Sequence, residues 1–195
     1  YLDLPTVIED GNSSFTISFW VKLNDLDING DYNVIMDRTS NTGNVWAFTW
    51  QNLDGNSVHF MSRDDDWSNY HNYTGFSPNQ DEWYYITTQR EVGVAKRLYV
   101  NGELYFEISD PNSYLTLPDF RIGASMNQSF AEMIFNDLQI WDRTLNSEEV
   151  LNSYENSMDY DNNLLAHYKF NSGEGSILYD HSGNENHGTI NGATW

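Results

Sequence analysis

Two stretches of this sequence gather side chains suited to recognition chemistry. The first, Arg63-Asp-Asp-Asp-Trp-Ser-Asn-Tyr-His-Asn-Tyr73, interleaves the rings of Trp67, Tyr70, His71 and Tyr73 with Arg63, Asp64, Asp65, Asp66 and Asn69. No apolar period runs through it to bury the rings. Sugars expose flat C–H faces and rows of hydroxyls, and aromatic planes beside carboxylate, amide and guanidinium groups meet both. The stretch therefore reads as a ligand surface, with Arg63, Asp65, Asn69, Trp67, Tyr70, His71 and Tyr73 as its contacts. The competing reading is a long loop folded back, its rings plugging a sheet face. The second stretch, Asp180-His-Ser-Gly-Asn-Glu-Asn186, repeats oxygen-bearing residues at spacing two around a glycine. Asp180, Ser182, Asn184 and Asn186 offer the hard donors that calcium takes. The flanking helices and twelfth-position glutamate of an EF-hand are missing. Asx and Ser residues also build ordinary turns through side-chain-to-backbone bonds.

Catalytic chemistry finds little support. Paired carboxylates of a glycosidase must sit a few ångströms apart across a cleft. No predicted strand carries inward acids at the required spacing. Nucleophile and zinc motifs are also missing. His59, His71, His167, His181 and His187 are scattered along the chain.

The elements that must position these groups are strands. Phe15, Ile17, Phe19 and Val21 alternate with Thr16, Ser18 and Trp20, which predicts a half-buried strand. Short strands are expected at 34–36, 45–50, 58–62, 83–89, 120–123, 132–141 and 164–170, separated by Asn, Asp, Gly and Ser clusters. Trp46, Phe48 and Trp50 alternate as core residues do, and Trp20 is a weaker surface candidate. Asn101-Gly102 between apolar runs marks a hairpin. A two-residue loop would set Leu98 and Val100 opposite in facing to Leu104, Phe106 and Ile108. A three-residue loop with Gly102 in a bulge would put all five on one face, Tyr99 and Tyr105 on the other. The bulged turn is the expectation, because a one-residue slip inverts a strand's faces. One helix is predicted at about Ser147–Tyr154. Asn146 caps it, Glu149 reaches back to complete a capping box, and Leu145 and Val150 form the hydrophobic staple.

Composition narrows the partners. Nine Lys and Arg against 29 Asp and Glu give a formal charge of −20 across 195 residues. Such a field repels nucleic acid and anionic membrane surfaces, and suits a bound cation. The sequence holds no cysteine, so disulfides and thiolate chemistry are excluded. No run is apolar enough to span a bilayer as a helix. The chain opens in mid-strand, as an excised fragment of a larger protein would.

The order of FTISFWVK (15–22), EWYYITTQR (82–90), RLYVNGELY (97–105), FRIGAS (120–125) and NDLQIWDRTLNSEEV (136–150) resembles the laminin-G-like, concanavalin-A-like jelly-roll family, in its bacterial pentraxin-like branch. The resemblance covers most of residues 1–157. It implies an all-β fold, an antiparallel β-sandwich of jelly-roll type with one short helix near 147–154. It also implies a structural calcium at the sandwich edge, with Asp137 at the family's ligand position. Glycosidases of this fold resembling the laminarinase group carry ExDxxE or ExDxE on one strand, which this sequence does not. Residues 164–195 resemble a segment that opens such domains or links tandem copies. It either completes this domain, so that 1–195 is one unit, or begins a following one. The expectation is thus a non-catalytic, calcium-stabilised domain binding a polysaccharide or oligosaccharide. It would act as a monomeric module of an exported, extracellular or cell-surface bacterial protein. The alternatives are a protein-interaction or adhesion module, or a structural spacer.

Overall fold

The protein is described here from a computed structural model covering residues 1–8, 13–25, 32–38, 46–51, 57–62, 71–110, 120–124, 131–156 and 162–195. For 32–34, 37–38, 46–51, 57–62 and 71–73 the description is of the main chain. In chain order the elements are β1 (Leu2–Leu4), β2 (Phe15–Leu23), β3 (Tyr32–Arg38), β4 (Trp46–Gln51), β5 (Ser57–Ser62), β6 (His71–Tyr73) and β7 (Trp83–Glu91). They continue with β8 (Ala95–Val100), β9 (Glu103–Ser109), β10 (Phe120–Ile122), β11 (Met133–Trp141), α1 (Ser147–Asn156), β12 (Leu164–Tyr168), β13 (Ile177–Leu178) and β14 (Gly188–Ile190). They form two antiparallel sheets. One has the order β13-β14-β1-β10-β3-β4-β5-β6, the other β12-β11-β2-β7-β8-β9. This is the expected jelly-roll sandwich.

The core lies between the sheets. Phe15, Ile17, Phe19 and Val21 of β2 enter it as their alternation predicts, meeting Ile86 and Leu98 from the same sheet and Ile35, Met36, Phe120 and Ile122 from the other. β2 differs from expectation on its polar face, where Thr16 and Ser18 are also buried. The reason is the segment leading into α1, which packs against that face. The Thr16 hydroxyl donates to Arg143 O at 2.7 Å and accepts from Leu145 N at 3.1 Å. Under the helix, Tyr85 donates its hydroxyl to Ser18 Oγ at 2.8 Å and lies 2.6 Å from Ser153 Oγ. Burial pushes the Tyr85 pKa up to about 12. A second apolar cluster of Tyr99, Trp141, Leu145, Val150 and Leu164 fixes the helix to the six-stranded sheet.

The start of α1 follows its sequence signals. Asn146 Oδ1 accepts from Glu148 N and Glu149 N, both at 3.0 Å, and Asn146 N donates to Glu149 Oε2 at 2.8 Å. Leu145 and Val150 are both buried, completing the staple. The helix runs two residues beyond the predicted Tyr154, to Asn156.

The β8–β9 hairpin corrects the bulged-turn expectation. Val100 pairs with Glu103, so Asn101-Gly102 is a two-residue loop, with φ of 51° and 83° as a type I′ turn requires. The register break lies further in, between Leu98↔Phe106 and Tyr99↔Leu104, leaving Tyr105 as the extra residue. The slip demanded by the apolar pattern is therefore made inside β9. Phe106 joins Leu98 on the core side, and Leu104 is left exposed opposite Tyr99. The turn is tied to β7 through Asn101. Asn101 N donates to Tyr85 O, and Asn101 Oδ1 accepts from Tyr85 N. A Cβ on Gly102 would lie 2.9 Å from Leu151 Cδ1 and 3.3 Å from Leu151 Cα. Gly102→Ala should therefore cost about 1–2 kcal/mol, combining the left-handed backbone with displacement of α1. Urea unfolding measures it, and a loss below about 0.3 kcal/mol would mean that the helix yields without cost.

Candidate functional site

The residues singled out in the sequence fall in three places. Arg63, Asp65, Trp67, Asn69 and Tyr70 lie outside the described residues. His71 and Tyr73 stand on β6, at register positions opposite Met61 and His59 of β5. β6 comes last in the order of the eight-stranded sheet. A strand in this stretch was not anticipated, since the rings show no alternation with apolar neighbours. Trp46, Phe48 and Trp50 fall on β4, of which only the main chain is described. Trp20 sits beneath the helix, its ring 5.6 Å from that of Tyr154 and 5.2 Å from that of Tyr85.

The predicted cation ligands converge on β12. Asp137 is the extra residue of a bulge in β11, between Asn136↔Trp20 and Gln139↔Ser18, and its φ is 49°. The buried imidazole of His167 on β12 donates from Nε2 to Asp137 Oδ1 at 2.6 Å. On the same residue's main chain, His167 N donates to Asp180 Oδ1 at 2.8 Å. One strand residue thus joins Asp137 to the Asp180–Asn186 loop.

Asp180 organises that loop. Its Oδ1 accepts from His167 N and Ser182 N, and its Oδ2 from the Ser182 hydroxyl and Asn186 N, at 2.8–2.9 Å. Asn184 and Asn186 turn their amide N–H groups onto the Leu164 and Leu165 carbonyls. The Tyr168 hydroxyl donates to Asn186 O. Burial works to raise the Asp180 pKa, but the hydrogen bonds from His167, Ser182 and Asn186 outweigh it and hold the carboxyl below its ordinary value. A calcium ion needs several free oxygen donors converging on one point. Asp180 has both oxygens doubly engaged by N–H and O–H groups, so this donor set does not fit the ion. No cluster of three or more acidic, His or Cys side chains able to hold a metal occurs among the described residues. Asp137, partly exposed, is the remaining candidate ligand.

A cleft of about 930 Å³ opens between the two sheets, lined by Tyr1, Trp83, Met133, Phe135, Phe170 and Trp195 among others. Trp83 and Trp195 are 40% and 41% exposed there, so their rings are accessible. The Trp195 ring is held by an Nε1–H bond to Gly175 O at 3.0 Å, and Lys22 Nζ lies 5.7 Å from the Trp83 ring centre. These residues come from distant segments, and their convergence is not a sequence pattern. Asn136-Asp137 inside an apolar strand was the available signal, marking where β11 breaks step.

The family model described as the Concanavalin A-like lectin/glucanases superfamily matches residues 1–151. The chain belongs to this superfamily. No curated protein matches the chain. Among solved structures, this superfamily domain is similar to a candidate carbohydrate binding protein from Bacteroides ovatus, with a TM-score of 0.74 at 15% identity over 98% of the chain. It spans 55% of that protein's length. It is also similar to domain 4 of AbnA, a GH43 extracellular arabinanase from Geobacillus stearothermophilus, solved with arabinotriose. There the TM-score is 0.63 at 19% identity, covering 78% of this chain and 71% of that one. The heptameric SAP-like pentraxin of Limulus polyphemus gives a TM-score of 0.57 at 15% identity, covering 79% and 75%. At such identities the likeness is one of fold, and the chemistry must come from the site itself.

Proposed function

We propose that this domain binds carbohydrate without transforming it, as one module of a larger exported protein. The observation that carries this reading is the superfamily match over residues 1–151. The solved relatives described as carbohydrate binding, or bound to arabinotriose, point the same way. The contacts are assigned to Arg63, Asp65, Trp67, Asn69, Tyr70, His71 and Tyr73, the stretch that ends on β6. Ring stacking on sugar faces would supply most of the affinity there, and the carboxylates, amide and guanidinium would fix orientation. Catalysis has no place in this reading, since the sequence lacks the paired-carboxylate pattern of the fold's hydrolases. The test is affinity electrophoresis through gels containing plant, fungal or bacterial polysaccharides. The native chain should be retarded by one polysaccharide class, and Trp67→Ala and Tyr73→Ala should each reduce retardation at least about tenfold, the loss expected of one stacking ring. Unchanged retardation in both variants would remove this stretch from the site.

Calcium enters the proposal at Asp137 alone. Asp137 Oδ1 already accepts the His167 hydrogen bond, and one carboxylate supplies few of the oxygens calcium takes, so an ion there would bind weakly and act on the fold rather than on sugar. At 10 times its Kd an ion adds about 1.4 kcal/mol by linkage. Millimolar calcium should thus raise the Tm of the native domain by roughly 3–6 °C over EDTA, and leave Asp137→Asn unmoved. Equal melts of the native protein in calcium and EDTA would end the calcium proposal.

A further inference from the structure

Among the described residues, the β12 edge of the six-stranded sheet is paired over only half of β11. β12 pairs with β11 from Leu138 to Trp141, beyond the Asp137 bulge, and not along Met133–Asn136. After Tyr168 the chain turns away, with Phe170 at a φ of 52°. On its other side Met133–Asn136 pairs with β2, Met133↔Leu23 through Asn136↔Trp20. Asn24 N donates to Glu132 O, which makes the even-numbered residues of this stretch the ones bonded to β2. The odd-numbered ones point their main-chain groups the other way, as Ala131 N does in bonding Gly123 O. Met133 and Phe135 therefore present N–H and C=O groups to the cleft, with no strand paired to them among the described residues. Unpaired ladder groups on an open edge are a template for another strand.

We infer that Met133–Asn136 is a strand-addition site for an extended peptide segment of a partner protein, seated in the cleft in line with β12. Three observations define the occupant. First, the open half continues an edge that β12 already pairs antiparallel, so the main chain is of the type that edge accepts. Second, the cleft is walled by Phe135, Phe170 and Tyr1, and Ile134, 43% exposed, also lines it. Apolar side chains at alternate positions of the incoming strand would meet the inner wall. Third, the chain carries a formal charge of −20 and Glu132 lines the cleft, which selects a neutral or basic segment over an acidic one.

Hydrogen exchange tests this on the whole chain. The probe is a capped heptapeptide of alternating valine and threonine with lysine at each end. In the free protein, the Met133 and Phe135 amides should exchange much faster than those of Ile134 and Gln139. Saturating peptide should slow both by at least about tenfold, because paired edge amides gain protection. Met133→Pro, which deletes one of the two donors on the open side, should abolish the effect while leaving the Trp141 and Tyr85 amides protected. If that variant unfolds, the native exchange pattern alone still decides. Slow exchange of Met133 and Phe135 in the free protein would overturn the inference, as would protection elsewhere with these two amides unchanged. Protection by an oligosaccharide but not by the peptide would reassign the cleft to sugar.

Discussion

Asp110→Asn should be among the most damaging single changes in this domain, lowering stability by about 3–5 kcal/mol. Asp110 is buried at the end of the β9 strand with two cations against it. Its Oδ2 accepts from Arg90 Nε at 2.9 Å and from Gly93 N at 3.3 Å, and its Oδ1 lies 3.4 Å from Lys96 Nζ. Arg90 and Lys96 are themselves 0% and 2% exposed. Removing the carboxylate's charge leaves both cations buried beside a neutral amide, and desolvated charge is the costliest thing a core can hold. The same residue ties the β7–β8 turn to the end of β9, its carboxylate accepting from Gly93 N and its own N–H donating to Val94 O. The loss should appear as a fall in Tm of roughly 10 °C for a chain of this size. A drop under about 1 kcal/mol would show that solvent reaches the cluster and screens it.

Asp180→Ala should cost about 3 kcal/mol, because it strands donors rather than removing apolar contact. The N–H groups of His167, Ser182 and Asn186 all point at this carboxylate. With it gone, the loop loses the anchor that lays Asn184 and Asn186 along β12. The pH dependence has a definite sign. The folded pKa of Asp180 is held below its ordinary value, so its contribution is present above the unfolded value of about 3.9. It fades as pH falls through the lower, folded value. The native protein should therefore lose stability more steeply than Asp180→Ala in acid below about pH 4, the two curves converging as the carboxyl protonates. Parallel curves down to pH 2 would contradict the assignment.

How far sequence reached depends on how local each signal was. The capping box at Asn146 and Glu149 is complete within four residues, and it formed as read. The alternation in β2 placed Phe15, Ile17, Phe19 and Val21 correctly, because the core demands one face. Its second face, with Thr16 and Ser18, was read as open, since nothing in β2 records that the segment before α1 returns to cover it. The hairpin is the instructive failure. Apolar periodicity required a one-residue slip, and Tyr105 supplies it, but the turn was the wrong place to put it. Asn101 is locked by Tyr85 and Gly102 is pressed by Leu151, contacts that only the tertiary fold creates. The Asp180–Asn186 spacing was read both as a cation loop and as turn chemistry. The hydrogen bonds assign its oxygens to the turn. The stretch from Arg63 to Tyr70 lies outside the described residues, so its role rests on residue chemistry alone. Trp83, Phe135, Phe170 and Trp195 meet only through sheet packing, and no linear pattern joins them.

The central claim, that this domain is a sugar-binding module, is most directly tested by titrating the native chain against a broad panel of immobilised glycans, in calcium and in EDTA. The account predicts saturable binding to one glycan class, in either medium, with the Trp67→Ala chain silent on the same glycans. No binding to any glycan at high micromolar protein, with the domain folded by its thermal transition, would contradict it.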